Sequence, residues 1–480
     1  MTRGLRVLIT NNALAVRAGS ELYVRDLASA LLARGHTPIA YSTELGEVAR
    51  ELRAATVPVV DRLEALGTPP DIIHGQHHLD TMTALLHFPG VPAVYFCHGW
   101  APWQEAAPRF PRLRHYVAVD QTCADRLRFE DGIPEECVRV LLNFVDLERF
   151  PPRAPLPPRP QRALLFGNMA DGACIAAVRA ACDRAGLSLD VAGARAGAVA
   201  GAPEALLGDY DLVFAKARAA IEALAIGTAV VLCDAIGTGP MVTSANFDAL
   251  RACNFGIRAL RGPLTADALA AEVRRYDAAD ATAVSRRVRA EAGRDAAVDE
   301  IVVLYREVLA EHAAQPAPYP DAERAAAARY LRWLASCVKT RVSVLEQRAD
   351  HLAAQCQEIA ATRDRLIAVG QATDADVIAA RDRVTALVAE RDAVDVARAD
   401  ATEQLRRTRD VHAALTDRYA AVVAERDRLA AELTAMRGSL TVRVRERILA
   451  TRFVGAFIRG TLRWAKSPAD GCRPRSATIG

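Results

Sequence analysis

The chain has 480 residues, too many for one hydrophobic core, so two or three domains are predicted. Hydrophobic residues make up 51% of it, and 61 Lys and Arg are almost balanced by 58 Asp and Glu. This balance excludes a nucleic-acid binder that acts through bulk positive charge, so no nucleic-acid partner is expected. The ten cysteines include no CxxC pair, which excludes a typical disulfide framework or zinc site and fits free thiols in a reducing cytoplasm.

Over about the first 310 residues, short β-branched runs alternate with helical patterns. An apolar stripe that includes Tyr23, Leu27 and Leu31 predicts a helix from about 20 to 34, after the first strand. Alternation of this kind is typical of βαβ units and predicts a parallel sheet. The predicted strands are RVLIT (6–10), TPIAYS (37–42), DIIHG (71–75), AVYFC (93–97), YVAV (116–119) and VRVLL (138–142).

A proline-rich segment, PPRAPLPPRP (151–160), interrupts this alternation because it suits neither a helix nor a sheet interior. The simplest interpretation is an α/β protein with two doubly wound, Rossmann-like domains, at 1–150 and 151–335. A second proline cluster, PAPYP (316–320), follows the last of these strands. The strands predicted for the second domain are ALLF (163–166), LSLDVA (187–192), DLVFA (211–215) and AVVLCD (229–234).

From residue 336 to 436, apolar residues recur every seven positions with charged residues between them. This spacing predicts an α-helical coiled coil, interrupted near Gly370. It could pair two chains in a homo-oligomer, which we favour slightly, or fold back on itself within one chain. The repeating positions are Val338, Leu345, Leu352, Ile359, Leu366, Leu415, Val422, Leu429 and Met436.

The C-terminal part, 437–480, begins with a basic amphipathic pattern. Between Arg437 and Lys466 there are eight Lys and Arg and one acid, Glu446, with Phe, Ile and Trp on the opposite helical face. This pattern is typical of a helix that binds the inner leaflet of a membrane, or alternatively docks on the protein's own domains. No signal peptide and no run of about 18 apolar residues occurs, so we expect a cytoplasmic protein, peripheral on the membrane.

Ligands of open α/β sheets bind beyond the carboxyl ends of the strands, and several polar or flexible residues follow predicted strands directly. If the two sheets face each other, these residues meet in one cleft. Gly19 by itself is a weak signal, His98 a stronger one, and we expect His74, His77 and His78 to be structural. The candidates are Gly19, His98, Gly167, Asn168, Lys216, Arg218, Gly237, Thr238 and Gly239.

Lys216 and Arg218 stand where a helix begins, although the positive end of a helix dipole repels cations. An anionic ligand such as a diphosphate would explain them. Glu222 lies one to two turns into that helix among apolar residues, so it needs a partner, either a ribose diol or a salt bridge to Lys216 or Arg218. Asp209 and Asp211 spell DxD, but they precede a strand and are interpreted as its lead-in.

Four stretches resemble the retaining nucleotide-sugar glycosyltransferases of the GT-B fold, group 1 or family 4-like. They are GSELYVRDLASALLARGHTPIAYS, DIIHGQHH with GVPAVYFCHGW, LLNFVDLERF, and IEALAIGTAVVLCD. The resemblance as a whole covers about residues 5–312. The resemblance implies two facing Rossmann-like domains, sugar transfer with retention, and no cofactor or metal ion. It implies that Gly19 lies against phosphate or acceptor, that His98 touches the transferred sugar, and that Glu222 binds the ribose.

The sequence departs from that family in two places. The stretch FGNMADGACIAAVR lacks the usual arginine and lysine, and Phe214 stands where a second glutamate is usual. Lys216 and Arg218 are our candidates to replace those cations. The function predicted is transfer of a sugar from a nucleotide diphosphate to a glycan, lipid-linked or protein acceptor, in bacterial surface polysaccharide or glycoconjugate synthesis. The alternative is an inactive scaffold that acts through its coiled coil, and an epimerase or phosphorylase is less favoured.

Overall fold

The computed structural model describes residues 3–168, 171–193, 202–314, 320–369 and 374–438. By its internal contacts the chain divides into two compact units, Met1–Ala327 and Ala328–Gly480. The boundary predicted at residue 150 therefore falls inside the first unit, between its two sheets.

The first sheet has seven parallel strands in the order β3-β2-β1-β4-β5-β6-β7, the arrangement of a doubly wound domain. All six strands predicted here are confirmed, with ends shifted by a few residues. The strand at Val59–Val60 was not predicted, because two residues are too few to show an alternating pattern. The strands are β1 (Arg6–Thr10), β2 (Thr37–Tyr41), β3 (Val59–Val60), β4 (Ile72–Gln76), β5 (Ala93–Cys97), β6 (Leu113–Ala118) and β7 (Val138–Val140).

Helices cover this sheet and bury its central strands. The predicted first helix is confirmed, and its apolar stripe, with Tyr23 and Leu27, packs on Ile9 and Phe96 of the sheet. The helices are α1 (Gly19–Ala33), α2 (Glu47–Ala54), α3 (His78–His87) and α4 (Gln121–Asp125).

The second sheet has five strands in the order β12-β11-β10-β8-β9, and only β12 is antiparallel to its neighbour. The four predicted strands are confirmed. β8, β10 and β11 are largely buried by apolar residues between helices, whereas the edge strand β9 is mostly half-buried or exposed. The strands are β8 (Arg162–Phe166), β9 (Ser188–Ala192), β10 (Leu212–Ala215), β11 (Ala229–Asp234) and β12 (Gly237–Met241).

The helices of this part lie on both faces of the second sheet. The helix after β10 ends at Gly227, whose φ of +105° favours glycine. The helices are α5 (Gly172–Ala185), α6 (Pro203–Leu206), α7 (Ala217–Ile226), α8 (Phe247–Ala252), α9 (Ala266–Val273) and α10 (Ala278–Glu291).

The next helix, α11 (Arg294–Ala313), returns to the first sheet. Its Ile301, Leu304 and Tyr305 are buried in the same core as α1 and β5. A sequence division at 150 placed these residues with the second domain. Their side chains instead complete the core of the first.

Two long helices follow, α12 (Pro320–Val369) and α13 (Asp374–Gly438). Within the second unit they run antiparallel: Arg409 pairs with Glu346 at 2.5 Å, and Cys356 Sγ lies 3.4 Å from Asp395 Oδ1. The chain thus folds back on itself here, the alternative to pairing between chains. Coiled-coil packing and the homo-oligomer stay predictions.

Among the described helices, none is long and apolar enough to cross a membrane. The predicted basic amphipathic helix and tail, at 437–480, lie almost entirely outside the described residues.

Candidate functional site

The carboxyl ends of the two sheets face each other inside the first unit. Asn168, after β8, donates from Nδ2 to the carbonyl of Arg17 at 3.3 Å, just before α1. Arg258 Nη2 lies 2.5 Å from Asp125 Oδ2 of α4. The two sheets therefore contact each other at these ends, and the cleft predicted between them, with the candidate residues around it, stays a prediction.

His98 follows β5 and is held in the cleft by its backbone. Its N–H donates to Glu105 Oε2 at 2.8 Å, and its ring meets Tyr23 edge-on with 4.4 Å between centroids. Glu105 is buried, and its other oxygen lies 3.4 Å from His77 Nε2. We call His77, His98 and Glu105 the histidine side of the cleft.

Hydrogen bonds fix the tautomer of His77. Its Nδ1 accepts from the N–H of Asn12 at 3.0 Å, so in the neutral ring the proton is on Nε2, toward Glu105. Burial is the largest effect and lowers the pKa of His77, but the hydrogen bond and charge of Glu105, together with the charges of Asp80 and Glu21, raise it overall. Burial likewise opposes ionisation of Glu105, yet His77 holds the pKa of that carboxyl below its usual value.

The His98 ring is neutral at physiological pH. Burial lowers its pKa to about 4, the nearby carboxylate of Glu105 opposes this, and the charges of His77 and Arg218 lower it further. His98 Nε2 is buried and has no hydrogen-bond partner within the described part of the chain. The Nε2 of His98 is therefore an uncharged group without a partner, and its contact with a sugar stays a prediction.

His74 and His78 are core residues, as the sequence analysis expected. His74 stacks on Phe96 at 4.0 Å between centroids, and its Nδ1 lies 2.6 Å from the hydroxyl of Tyr305. His78 packs edge-on against Trp103 at 4.7 Å. Because burial disfavours the charged ring, the pKa of His78 falls to about 3.

Across the cleft, the two predicted cations are already paired with carboxylates. Lys216 Nζ contacts Asp234 Oδ2 at the end of β11. Arg218 contacts Asp26 of α1 through Nη2 and donates from Nε to Glu222 Oε1 at 2.8 Å. In this state of the protein, carboxylates of the chain balance both cations, and the anionic ligand predicted for them stays a prediction. We call Lys216, Arg218 and Glu222 the arginine side.

The sequence analysis left two partners open for Glu222, a ribose diol or a basic side chain, and in the structure Glu222 pairs with Arg218. Among the described residues, no hydrogen bond reaches Glu222 Oε2, so a ribose contact stays a prediction. Burial raises the pKa of Glu222, and the Arg218 guanidinium offsets this only partly. Burial also opposes the charge of Asp26, but Arg218 and Arg25 hold its pKa below the usual value.

Ala217, between the two cations, has φ of +50° although it is not glycine. His77 has the same kind of backbone, with φ of +59°, directly before α3. Each side of the cleft therefore contains a left-handed residue where a strand passes into a helix, a conformation that costs about 1 kcal/mol or more.

Two of the glycines border open space. An added Cβ at Gly19, the first residue of α1, or at Gly167, after β8, would meet no atom within 4 Å. A larger side chain would therefore have room at either position. The roles themselves stay predictions.

Gly237, Thr238 and Gly239 are placed differently from the prediction. They form an antiparallel strand, β12, and not an open loop after β11. Thr238 exchanges two backbone hydrogen bonds with Gly262, and a Cβ on Gly239 would lie 2.8 Å from the carbonyl of Ala259. These residues therefore pack against the 259–262 segment.

Phe214, in place of the family's second glutamate, is fully buried in β10. Its ring joins the core around Val178 and Val231, so this position faces away from the cleft. A donor-sugar contact from this point of the strand is absent.

Sequence reasoning missed the acidic residues of the site. Asp26 lies inside the helix that was examined only for its apolar stripe, and Asp234 ends the quoted strand AVVLCD. Glu105 follows His98 by seven residues in a segment with no periodic pattern. Asp26 could have been found, because it is an acidic residue among apolar neighbours, the same signal that identified Glu222.

Residues 17–149 match the family model described as Glycosyltransferase Family 4. No curated protein matches the sequence.

Several solved structures are similar in chain path. A glycosyltransferase from Rickettsia africae ESF-5 is 14% identical, covering 64% of this chain and 99% of its own, with a TM-score of 0.48. Anabaena Alr3699/HepE in complex with UDP-glucose is 14% identical, covering 63% and 100%, with a TM-score of 0.48. A putative UDP-N-acetylglucosamine 2-epimerase from Listeria monocytogenes is 11% identical, covering 66% and 99%, at 0.42. The match to the family model covers α1 and strands β2 to β7 of the first sheet.

Proposed function

We propose that this chain is a glycosyltransferase that moves a sugar from a nucleotide diphosphate to a hydroxyl acceptor. The observation that carries the proposal is the meeting of the two sheets at their carboxyl ends, where Arg218 after β10 contacts Asp26 of α1 and its charge acts on the neutral ring of His98. The match of residues 17–149 to a glycosyltransferase family model supports it independently.

Transfer of the sugar would release a nucleotide diphosphate, and the negative charge that develops on it has to be stabilised. Lys216 is the better placed cation, because its side chain is 31% exposed, whereas that of Arg218 is 15% exposed and contacts two carboxylates. The open backbone at Gly19 and Gly167 would let amide groups approach the phosphates. Glu222 would accept the ribose hydroxyls through its unbonded oxygen. We further propose a metal-independent reaction with retention.

The biological setting is part of the proposal. The acceptor would be a glycan, a lipid-linked sugar or a protein in surface polysaccharide or glycoconjugate synthesis. The enzyme would be cytoplasmic and held at the inner leaflet by the basic pattern of 437–466. That pattern and the coiled-coil repeat support this placement.

A non-catalytic scaffold is the second candidate. Two observations favour it: Arg218 is neutralised within the protein, and Phe214 replaces a cleft carboxylate with a core residue. Such a protein would not bind a nucleotide diphosphate at the arginine side.

Thermal unfolding of the full chain distinguishes the two. UDP, GDP, ADP, their sugar conjugates and pyrophosphate are added in turn to the wild type and to Glu222→Ala, Lys216→Ala and Lys339→Ala. We expect one nucleotide series to stabilise the wild type and Lys339→Ala, the control lysine on α12, but not the other two variants. No stabilisation of the wild type by any nucleotide would favour the scaffold.

A further inference from the structure

A cavity of about 500 Å³ lies at the edge of the second sheet, where the edge strand β12 meets α8 and α9. Sites for small molecules have volumes of about 300–1,000 Å³, so this one has room for an organic ligand. Six lining residues have hydrocarbon side chains, and four of these are alanines, whose short side chains leave the space open. The six are Pro240, Ala249, Leu250, Ala259, Ala268 and Ala271.

Thr238 of β12 brings a hydroxyl group to the same lining. The residue is 4% exposed, and its Oγ1 is buried without a hydrogen-bond partner within the part of the chain that the structure describes. A buried hydroxyl in this condition costs free energy. A ligand that bonds to Thr238 would remove this cost without breaking an existing bond.

The charged residues around the cavity leave one cation in excess. Arg258 contacts Asp125 of α4, and Glu272 pairs with Arg275 at 3.4 Å. Arg261 donates from Nε to the carbonyl of Arg258 at 3.1 Å, which fixes its guanidinium at the cavity. Among the described residues, no carboxylate lies within 4.0 Å of Arg261. The wall therefore carries one positive charge that the protein does not balance.

We propose that this cavity binds a small organic anion. Its carboxylate or phosphate pairs with Arg261, its apolar part packs on the alanines, and it hydrogen-bonds to Thr238 Oγ1. The planar guanidinium of arginine binds both kinds of anion with two parallel hydrogen bonds. Neither Lys216 nor Glu222 lines the cavity, so this site does not depend on the proposed function.

Cys253 also lines the cavity and is half-buried, so its thiol reports whether the space is occupied. Full-length protein is alkylated with iodoacetamide at pH 9, because burial raises the pKa of this thiol, and peptide mass spectrometry follows the reaction. Three other half-buried cysteines, Cys137, Cys337 and Cys356, are references in the same sample. The probes are benzoate and phenyl phosphate, with benzyl alcohol as a body without charge and inorganic phosphate as a charge without body.

We expect benzoate or phenyl phosphate to slow the alkylation of Cys253 and not that of the references. A ligand at ten times its Kd leaves about one site in eleven empty, so the reaction should slow about tenfold. Benzyl alcohol and inorganic phosphate should slow it less than about twofold at the same concentration, because each makes only part of the contacts. No slowing by either organic anion, or equal slowing by benzyl alcohol, would overturn the proposal.

Four variants assign the protection to this cavity. Arg261→Gln should abolish it, and Thr238→Val, which keeps the shape and removes the hydroxyl, should weaken it about twofold to tenfold. Arg274→Gln, which removes an exposed arginine outside the cavity, and Lys216→Ala should be protected like wild type. Unchanged protection in Arg261→Gln, or its loss in Lys216→Ala, would overturn the proposal.

Thr238→Val also tests the buried hydroxyl without any ligand. Because Oγ1 has no hydrogen bond to lose, this variant should unfold at the same temperature as wild type or at a higher one. A clearly lower unfolding temperature would show that the hydroxyl already has a structural partner, and would overturn the proposal.

Discussion

The histidine side and the arginine side stabilise their buried polar groups in different ways. On the histidine side His98 is an uncharged ring, and the ring of His77 pairs with the carboxylate of Glu105. The arginine side uses full charges, with Arg218 between Asp26 and Glu222. A neutral site presents hydrogen bonds of fixed direction, whereas a charged one attracts an anion but must exchange one partner for another.

This difference has a consequence for the order of binding. Arg218 joins α7 of the second sheet to α1 of the first, so under the proposed function a donor phosphate would compete with Asp26 for the same guanidinium. Lys216 contacts Asp234 within the second sheet and is more exposed. We therefore expect the phosphate to meet Lys216 first.

The largest effect is expected from a substitution of Arg218. In Arg218→Ala, Asp26 and Glu222 would stay buried without their guanidinium, although Asp26 keeps Arg25. Removing one partner of a buried ion pair costs about 3–5 kcal/mol, and urea denaturation followed by tryptophan fluorescence measures the loss.

Two further variants serve as controls for Arg218. Arg184→Ala removes an exposed pair with Asp267, and there we expect less than about 1 kcal/mol. Arg218→Lys keeps the charge but not two directed bonds, so it should lie between. If Arg218→Ala were no more destabilising than Arg184→Ala, the arginine side would not be held together by charge.

Acidification should act on the histidine side. The pKa of His98 is lowered to about 4 by burial, against an ordinary value of 6.5, so the unfolded chain binds the proton more tightly. The stabilisation is therefore complete above pH 6.5 and is lost as pH falls toward 4, by up to about 3 kcal/mol. Urea denaturation at pH 7, 6, 5 and 4 follows this loss.

His98→Gln should show a smaller loss over the same pH range, whereas His312→Gln, which removes an exposed histidine, should behave like wild type. Burial raises the pKa of Asp80 to about 7, so protonation of Asp80 stabilises the fold as pH falls. This contribution is the same in all three proteins and does not affect their comparison. Equal slopes for wild type and His98→Gln would mean that the ring is not buried in the neutral form.

The sequence predicts the strands well because their pattern is local, but it does not predict the pairing of charges. Asp26 and Arg218 are 192 residues apart, and neither has a neighbour in sequence that indicates the other. The edge strand β12 was missed because GTGPM contains two glycines and a proline, which are atypical of strands. Glu222 was recognised as needing a partner because an acid among apolar residues is a local signal. Which partner it takes depends on how the chain folds over long distances.

The smallest expected effect tests the strained turn of the arginine side. Ala217 has φ of +50°, where a Cβ costs about 1–2 kcal/mol, while glycine loses about 0.5–1 kcal/mol more entropy on folding. Ala217→Gly should therefore stabilise the protein by about 0.5 kcal/mol, measured as a higher urea midpoint. Ala219→Gly, in the same helix but not left-handed, should lose about 0.5–1 kcal/mol. Because the two substitutions are chemically identical, opposite signs isolate the backbone strain, and equal losses would show that Ala217 is not strained.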